Sequence, residues 1–147
     1  MEKYTGNREP FVYAFYSPGD EEAALKALEE VSKKRKVCFS SVFDDKQKKL
    51  MNKAAAVIIF ISSAHQEYVS EAVSCASKLE KPLIPVQLDD VTLDAGMRML
   101  LGTTQGVARK AYTDDESFAQ ALAGSPVLNG LKVTSAQTKA ARGIVIG

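Results

Sequence analysis

Several residue types and patterns that mark particular classes of protein are scarce in this 147-residue sequence. It contains one histidine, His65, so a histidine-rich metal site is excluded, and we expect no bound metal and no required cofactor. No apolar run approaches the roughly 20 residues that span a bilayer, and the polar start MEKYTGNREP lacks the apolar core of a signal peptide. The net charge of +1 gives no general attraction to nucleic acid. These absences favour a cytoplasmic protein that does not bind nucleic acid.

Cysteine is also rare. The two cysteines, Cys38 and Cys75, both lie in apolar runs, so we interpret them as small buried residues in a reducing compartment rather than as a disulfide. Cys75 has no base beside it in the pattern, which disfavours a nucleophilic role.

The sequence lacks the motifs of several common enzyme and phosphate-binding folds. It has no GxGxxG, no Walker loop and no GxSxG elbow. Ser17-Pro18-Gly19 does open a helix, but the acids 20–22 that follow would repel a diphosphate. A phosphoacceptor receiver domain needs acids at the ends of its first and third strands, and this chain has serines there. The single histidine also leaves little basis for a hydrolase triad.

What the chain does contain is a regular alternation of apolar runs and helical patterns. We predict strands over residues 11–16, 37–43, 56–61 and 83–88, and a weak last strand over 106–112. Helices are predicted over 21–34, 44–54 and 67–79, with Asp20 as the first N-cap, followed by a short helical turn at 94–102 and a closing helix that ends at Gly124. This order predicts an α/β fold, with a five-stranded, mainly parallel sheet and helices on both faces. The run AVIIFI should be its central strand. A polar lead (1–10) precedes the domain (11–124), and a basic tail (125–147) follows it.

Three segments carry a family resemblance. FVYAFYSPGD, AAAVIIFISSAH and KPLIPVQLDDVTLDAGMRMLLGTTQGV together resemble the bacterial TIR (Toll/interleukin-1 receptor) domain family, over residues 11–122. The resemblance implies a three-layer, flavodoxin-like sandwich and a signalling module that acts by self-association or by binding another TIR-like domain. The chain departs from the family over residues 37–53. TIR domains have a longer, glycine-containing association loop there, whereas this segment is short and contains no glycine.

The resemblance also implies an enzymatic alternative. Many TIR domains split NAD⁺ into nicotinamide and an ADP-ribose product, with a glutamate on the helix after the third strand supporting the ribosyl centre. Without a gap, that position falls on Ala72, and Glu71 lies one residue earlier. At about 100° per residue, Ala72 lies on the apolar face, while Glu71 projects beside Glu67. The alternative function is therefore an NAD⁺ glycohydrolase with Glu71 as the carboxylate and NAD⁺ as substrate, and a solvated Glu71 is the competing interpretation.

Further candidate residues lie at the predicted strand ends and beyond them. Tyr16, Ser17 and Ser62 are candidates for the cleft, and His65 follows a strand end, where we expect a surface loop residue. Segment 40–49 replaces the association loop and carries paired charges that suit a salt-sensitive contact between copies or, equally, a solvated helix: Asp44, Asp45, Lys46, Lys48 and Lys49. No acid follows Glu116, and the basic tail ends RGIVIG. That ending predicts either a frayed terminus or the approach to a membrane segment outside this chain.

Overall fold

The computed structural model describes residues 10–102, 104 and 106–131. Its strands are β1 (Phe11–Phe15), β2 (Lys36–Ser40), β3 (Ala56–Ile61), β4 (Leu83–Gln87) and β5 (Val107–Ala108). Its helices are α1 (Glu21–Ser32), α2 (Asp45–Lys53), α3 (Gln66–Lys78), α4 (Ala95–Leu101), α5 (Asp115–Ala123) and α6 (Pro126–Asn129), with 3-10 turns at Pro18–Asp20 and Arg109–Ala111. The strands form one sheet in the order β2-β1-β3-β4-β5, and every pair is parallel. The predicted α/β fold is confirmed.

Strand β3 lies at the centre of the sheet, as its sequence predicts. All six of its residues are buried, and it pairs with β1 on one side and with β4 on the other. An unbroken apolar run is needed because helices cover both faces of the sheet at this point. Burying one such isoleucine contributes about 1.5–3 kcal/mol relative to leaving it exposed, so β3 is a major contributor to the core.

The alternation of side chains along the strands divides the core into two layers. Val12, Ala14 and Tyr16 face the layer that α1, α5 and α6 cover. Phe11, Tyr13 and Phe15 face the layer that α2, α3 and α4 cover. Successive strand residues point to opposite faces, so β1 contributes to both layers and ties them together.

The end of β2 and the cap of α1 differ from the sequence prediction, both for local hydrogen-bonding reasons. Strand β2 ends at Ser40 instead of residue 43, because the Ser40 hydroxyl accepts from the Val42 amide at 3.0 Å and donates to the Val42 carbonyl at 2.9 Å. Asp20 stands at the N-cap position of α1, but its carboxylate makes no cap hydrogen bond. The 3-10 turn takes over part of the capping, since the Glu21 amide bonds the Pro18 carbonyl.

The last strand, β5, is only two residues long, and the glycine before it allows the backbone to come close to β4. A Cβ atom built on Gly106 would lie 2.1 Å from the Pro85 carbonyl oxygen, closer than any real contact. Only glycine allows the backbone to approach β4 here. A weak final strand is present as predicted, but it covers only two residues of the predicted range 106–112, and a 3-10 turn occupies Arg109–Ala111.

The folded part extends past Gly124, where the sequence predicts the tail to begin. Helix α6 packs on the core through Leu128, which is 1% exposed, and Arg35 Nη2 donates to the Leu128 carbonyl at 2.9 Å. A four-residue helix is too short to produce a recognisable periodicity, which is why the pattern missed it. The remaining tail (132–147), with its predicted approach to a membrane, lies outside the described residues, as does most of the polar lead. Within the described ranges, no helix combines the length and the apolar character needed to cross a bilayer.

Candidate functional site

The carboxyl ends of the parallel strands meet at one edge of the sheet, where ligands gather in folds of this type. An open cleft of about 440 Å³ lies there, with Gly19, Asp20, Glu22, Ser62, Leu88 and Asp89 among its lining residues. Acidic groups therefore dominate the rim of the cleft, although Lys26 also lines it.

Asp20 connects the ends of β1 and β3 through a serine. The Ser62 hydroxyl donates to Asp20 Oδ2 at 2.8 Å, and Ser62 is 4% exposed. Ser17 is also buried, and its hydroxyl accepts a longer hydrogen bond of 3.4 Å from the Gly19 amide. The structure thus places both predicted serines at the strand ends, but each already serves to hold the loop that carries Asp20.

A second serine–aspartate contact holds the ends of β3 and β4 together. The backbone amide and the hydroxyl of Ser63 donate to the two carboxylate oxygens of Asp89, each at 2.9 Å. The adjacent Asp90 pairs with Lys110 at 2.7 Å, and this hydrogen bond and charge lower the pKa of Asp90. The sequence places both acids after β4, but neither spacing nor composition indicates which partner each one selects.

Tyr16 does not present its phenol to the cleft as a predicted binding residue would. It is 3% exposed and belongs to the layer beneath α1 and α5. Burial, and then the nearby Glu21 carboxylate, raise the pKa of Tyr16 to about 12. Its position follows from strand alternation, since residues 12, 14 and 16 share one face.

His65 lies beside the cleft and packs against the first turn of the chain after β1. A Cβ atom built on Gly19 would lie 2.5 Å from His65 Nε2, so the imidazole occupies the space that a side chain at position 19 would need. His65 is half-buried and stands at the N-cap position of α3 without capping it. It is therefore less exposed than the surface loop residue that the sequence predicts.

Glu71, the predicted catalytic carboxylate, lies on the outer surface of α3. Its side chain is 66% exposed, and its Oε2 atom is 3.2 Å from Lys48 Nζ on α2. Ala72, where the resemblance predicts the family carboxylate, is fully buried with Val69, Val73 and Ala76. The helical face predicted from the sequence is the one that the core buries, and the catalytic role of Glu71 stays a prediction.

The loop between β2 and α2 forms an exposed apolar surface with α3, which we call the loop patch: Val42, Phe43 and Tyr68. Val42 is 56% exposed and Tyr68 is 47% exposed. The buried ring of Phe15 supports both aromatic rings, stacking on Tyr68 at 6.0 Å between centroids and meeting the edge of Phe43 at 5.3 Å. The Tyr68 hydroxyl also donates to the Ser41 carbonyl, which fixes the loop on α3.

The five charged residues predicted for association lie beside this patch, but they differ in what they do. Asp44 caps α2 by accepting from the Gln47 amide at 3.0 Å. Lys48 pairs with Glu71 and lies 5.8 Å from the centroid of the Phe43 ring. Asp45, Lys46 and Lys49 are exposed. The segment is thus the start of a regular helix with exposed charges, as the solvated-helix interpretation predicts, and the salt-sensitive contact between copies stays a prediction.

The chemistry available in the cleft is that of hydrogen-bonded carboxylates. In the part of the chain that the structure describes, no group of three or more histidine, cysteine, aspartate or glutamate side chains is arranged to hold a metal ion. Cys38 and Cys75 are not joined by a disulfide, and Cys38 is buried. In comparisons with known proteins, no family model matches this chain, and no curated protein is significantly similar to it.

Proposed function

We propose that this chain is a TIR-like signalling module of the cytosol that acts by associating with copies of itself or with another domain of the same kind. The observation that carries the proposal is the loop patch, an exposed apolar surface on the segment that replaces the family's association loop. Isolated exposed apolar side chains are common on soluble proteins. Here Phe43 and Tyr68 pack on the same Phe15 ring, and the Tyr68 hydroxyl bonds the Ser41 carbonyl next to Val42, so the three side chains lie near one another at the start of α2.

The loop patch is held in place before any partner binds. Ser40 fixes the turn at Val42, the Tyr68 hydroxyl bonds the Ser41 carbonyl, and Phe15 supports the two rings from below. Ordering a side chain or loop on binding costs about 0.5–1.5 kcal/mol for each immobilised side chain, and a preformed surface avoids much of that cost. The rigidity of the patch therefore supports an interaction role over that of a loop that merely connects β2 to α2.

Charge at the cleft supports the interaction module over the NAD⁺ glycohydrolase. Acidic side chains line the cleft, and they disfavour the diphosphate of NAD⁺ by repulsion. The buried Ala72 also leaves no carboxylate at the family position. No cofactor is required for association.

The test is sedimentation velocity of the full chain over a range of concentrations, with and without a crowding agent. We expect self-association, and we expect Val42→Ser to weaken it about tenfold because the exposed apolar area of Val42 is lost. Met99→Ser is the matched control, since Met99 is 85% exposed on α4 and lies outside the patch. A chain that stays monomeric in every condition, or equal losses in the two variants, would contradict self-association through the patch.

A further inference from the structure

The sequence contains one asparagine that is followed directly by a glycine, Asn129-Gly130. Asparagine is a thermally labile residue type, because the main-chain nitrogen of the next residue can attack its side-chain carbonyl carbon. Glycine has no Cβ atom to shield that nitrogen, so an asparagine before glycine reacts more readily than an asparagine before a larger residue. The other asparagine of the described residues, Asn52, precedes Lys53 and supplies an internal comparison.

The Asn129-Gly130 pair lies at the end of α6, and both of its residues are exposed. The folded chain keeps the two reacting groups hydrogen bonded. Asn129 Nδ2 donates to the Gly124 carbonyl at 3.0 Å, and the Gly130 amide donates to the Pro126 carbonyl at 3.0 Å. The docked helix therefore holds the side-chain amide and the main-chain nitrogen on separate acceptors, which opposes their reaction.

Helix α6 is held on the domain by few contacts. It has four residues, too few for a helix that is stable on its own, and Ser125 at its N-cap position makes no side-chain hydrogen bond to it. Its one buried side chain is Leu128, and Arg35 Nη2 donates to the Leu128 carbonyl at 2.9 Å. Elements with few buried contacts open locally while the rest of a domain stays folded. We therefore expect α6 to open more often than the strands of the sheet.

We propose that Asn129-Gly130 is a modification site, at which spontaneous deamidation converts a transient release of α6 into a lasting one. When α6 opens, the Gly130 nitrogen gives up its proton to a base in the solvent and attacks Asn129 Cγ. The new C–N bond closes a five-membered succinimide ring, and the side-chain amide leaves as ammonia. Water then opens the ring at either carbonyl and leaves aspartate or isoaspartate. Water is the co-reactant, and nothing is oxidised or reduced.

Both products weaken the docking of α6. Aspartate has no N–H to donate, so a carboxylate oxygen faces the Gly124 carbonyl and two acceptors oppose each other. Isoaspartate carries the main chain through its side-chain carbon, which adds one atom to the backbone just before Gly130. That extra atom disrupts the hydrogen bond from the Gly130 amide to the Pro126 carbonyl. In either product the amide that closed the helix end is gone, so the release is not reversed.

The modification goes beyond the proposed function and does not depend on it. Leu128 packs in the layer that α1 and α5 cover, whereas Phe15, which supports the loop patch, belongs to the other layer. Release of α6 therefore uncovers apolar surface away from the loop patch. Helix α6 is also the last described element before residues 132–147, so the modified site lies at the junction between the domain and those residues.

The test is to incubate the purified full chain at neutral pH and physiological temperature, and to follow each asparagine by mass spectrometry of its peptides. We expect Asn129 to convert at least about tenfold faster than Asn52. Leu128→Ala removes the buried anchor of α6 and should speed the conversion of Asn129 about tenfold or more, since the open form is more populated. Leu128→Val loosens the same anchor less and should give an intermediate rate.

Two further variants separate the chemistry from the stability of the domain. Gly130→Ala places a Cβ atom 3.4 Å from the Pro126 carbonyl oxygen, an ordinary contact, so α6 stays docked while the nitrogen is shielded and conversion slows about tenfold or more. Leu101→Ala is the matched control, because it makes the same truncation at a residue that is 6% exposed in the other layer. It should leave the conversion of Asn129 unchanged. Hydrogen exchange of the amides of residues 128–131 measures the opening of α6 directly.

Each outcome supports or overturns the proposal, whether or not the chain self-associates. Conversion of Asn129 no faster than that of Asn52 would remove the site. Equal acceleration by Leu128→Ala and Leu101→Ala would show that conversion requires unfolding of the whole domain and would overturn the role of α6. Converted protein in which the amides of residues 128–131 exchange as slowly as before would overturn the lasting release.

Discussion

Lys48 Nζ lies 3.2 Å from Glu71 Oε2 and thereby joins the second helix to the third on the outer surface of the molecule. The hydrogen bond and the charge of Glu71 raise the pKa of Lys48. Exposed pairs of this kind contribute little to stability because both ions are well solvated when apart. The consequence of the pair is therefore mainly positional, because it holds the Glu71 carboxylate toward α2.

The position of Glu71 predicts weak or absent cleavage of NAD⁺. Incubation of the purified chain with NAD⁺, with a crowding agent or crosslinker to promote assembly, should release little or no nicotinamide. Any release that does occur should be abolished by Glu71→Ala and retained by Glu29→Ala, which removes an exposed glutamate from α1. Robust turnover that survives Glu71→Ala would refute the assignment.

Placing a carboxylate at Ala72, where the proposed resemblance to TIR domains would put one, should damage the fold. Ala72 is 0% exposed, so Ala72→Glu places a charge in the layer beneath α3 and should lower the free energy of unfolding by more than about 3 kcal/mol. Ser77→Glu, on an exposed position of the same helix, is the control and should change it little. Burial raises the pKa of the new carboxyl above its unfolded value, so the loss should shrink as the pH falls and both states bind the proton. Urea unfolding of the two variants measures the difference, and equal stability would contradict the buried placement.

The contact between Gly19 and His65 predicts a rescue experiment. Gly19→Ala should lower the free energy of unfolding by about 0.5–1.5 kcal/mol, because the added methyl group would lie 2.5 Å from His65 Nε2 and the imidazole has to turn away from its present position. In a His65→Ala background the same substitution should cost much less, since the space is then open. The double-mutant cycle is measured by urea unfolding. The same cost in both backgrounds would show that the two residues are not in contact.

Burial of Tyr16 predicts a loss of stability in alkali. The pKa of Tyr16 is about 12 in the folded chain and 10.0 without the surrounding fold, so the unfolded state loses its proton first. The stabilisation is therefore complete below about pH 10 and declines as the pH rises toward about 12. Urea unfolding at about pH 9 and about pH 11 should show a smaller decline in Tyr16→Phe than in wild type. Identical declines would mean that Tyr16 ionises equally in both states.

The sequence predicts the sheet better than the surface. The run AVIIFI can be identified as the central strand from its own residues, because a strand that is apolar on both faces is typical of the centre of a covered sheet. The buried face of α3 is equally predictable, since its period of 3.6 identifies Ala72 and Val73 directly. The alternation of strands and helices predicts a parallel sheet, in which the carboxyl ends of the strands lie at one edge. The location of the cleft can therefore be predicted without knowing any side-chain position.

The hydrogen bonds of the site are less predictable, because they join residues far apart in the chain. Asp20 looks like a helix cap in the sequence, yet its carboxylate binds Ser62, 42 residues away. The contact between His65 and Gly19 likewise depends on how two loops pack and has no local signal. Short helices are also hard to predict, because α6 has four residues and buries only Leu128, so its sequence carries no helical period.

The two-residue β5 has a consequence for how the molecule behaves at high local concentration. Its ladder with β4 consists of Val86 opposite Val107 and Gln87 opposite Ala108. An edge this short offers few backbone amides and carbonyls to an incoming strand, which is one of the ways in which natural sheets resist edge-to-edge aggregation. At high concentration this edge is therefore a poor template for amyloid-like growth.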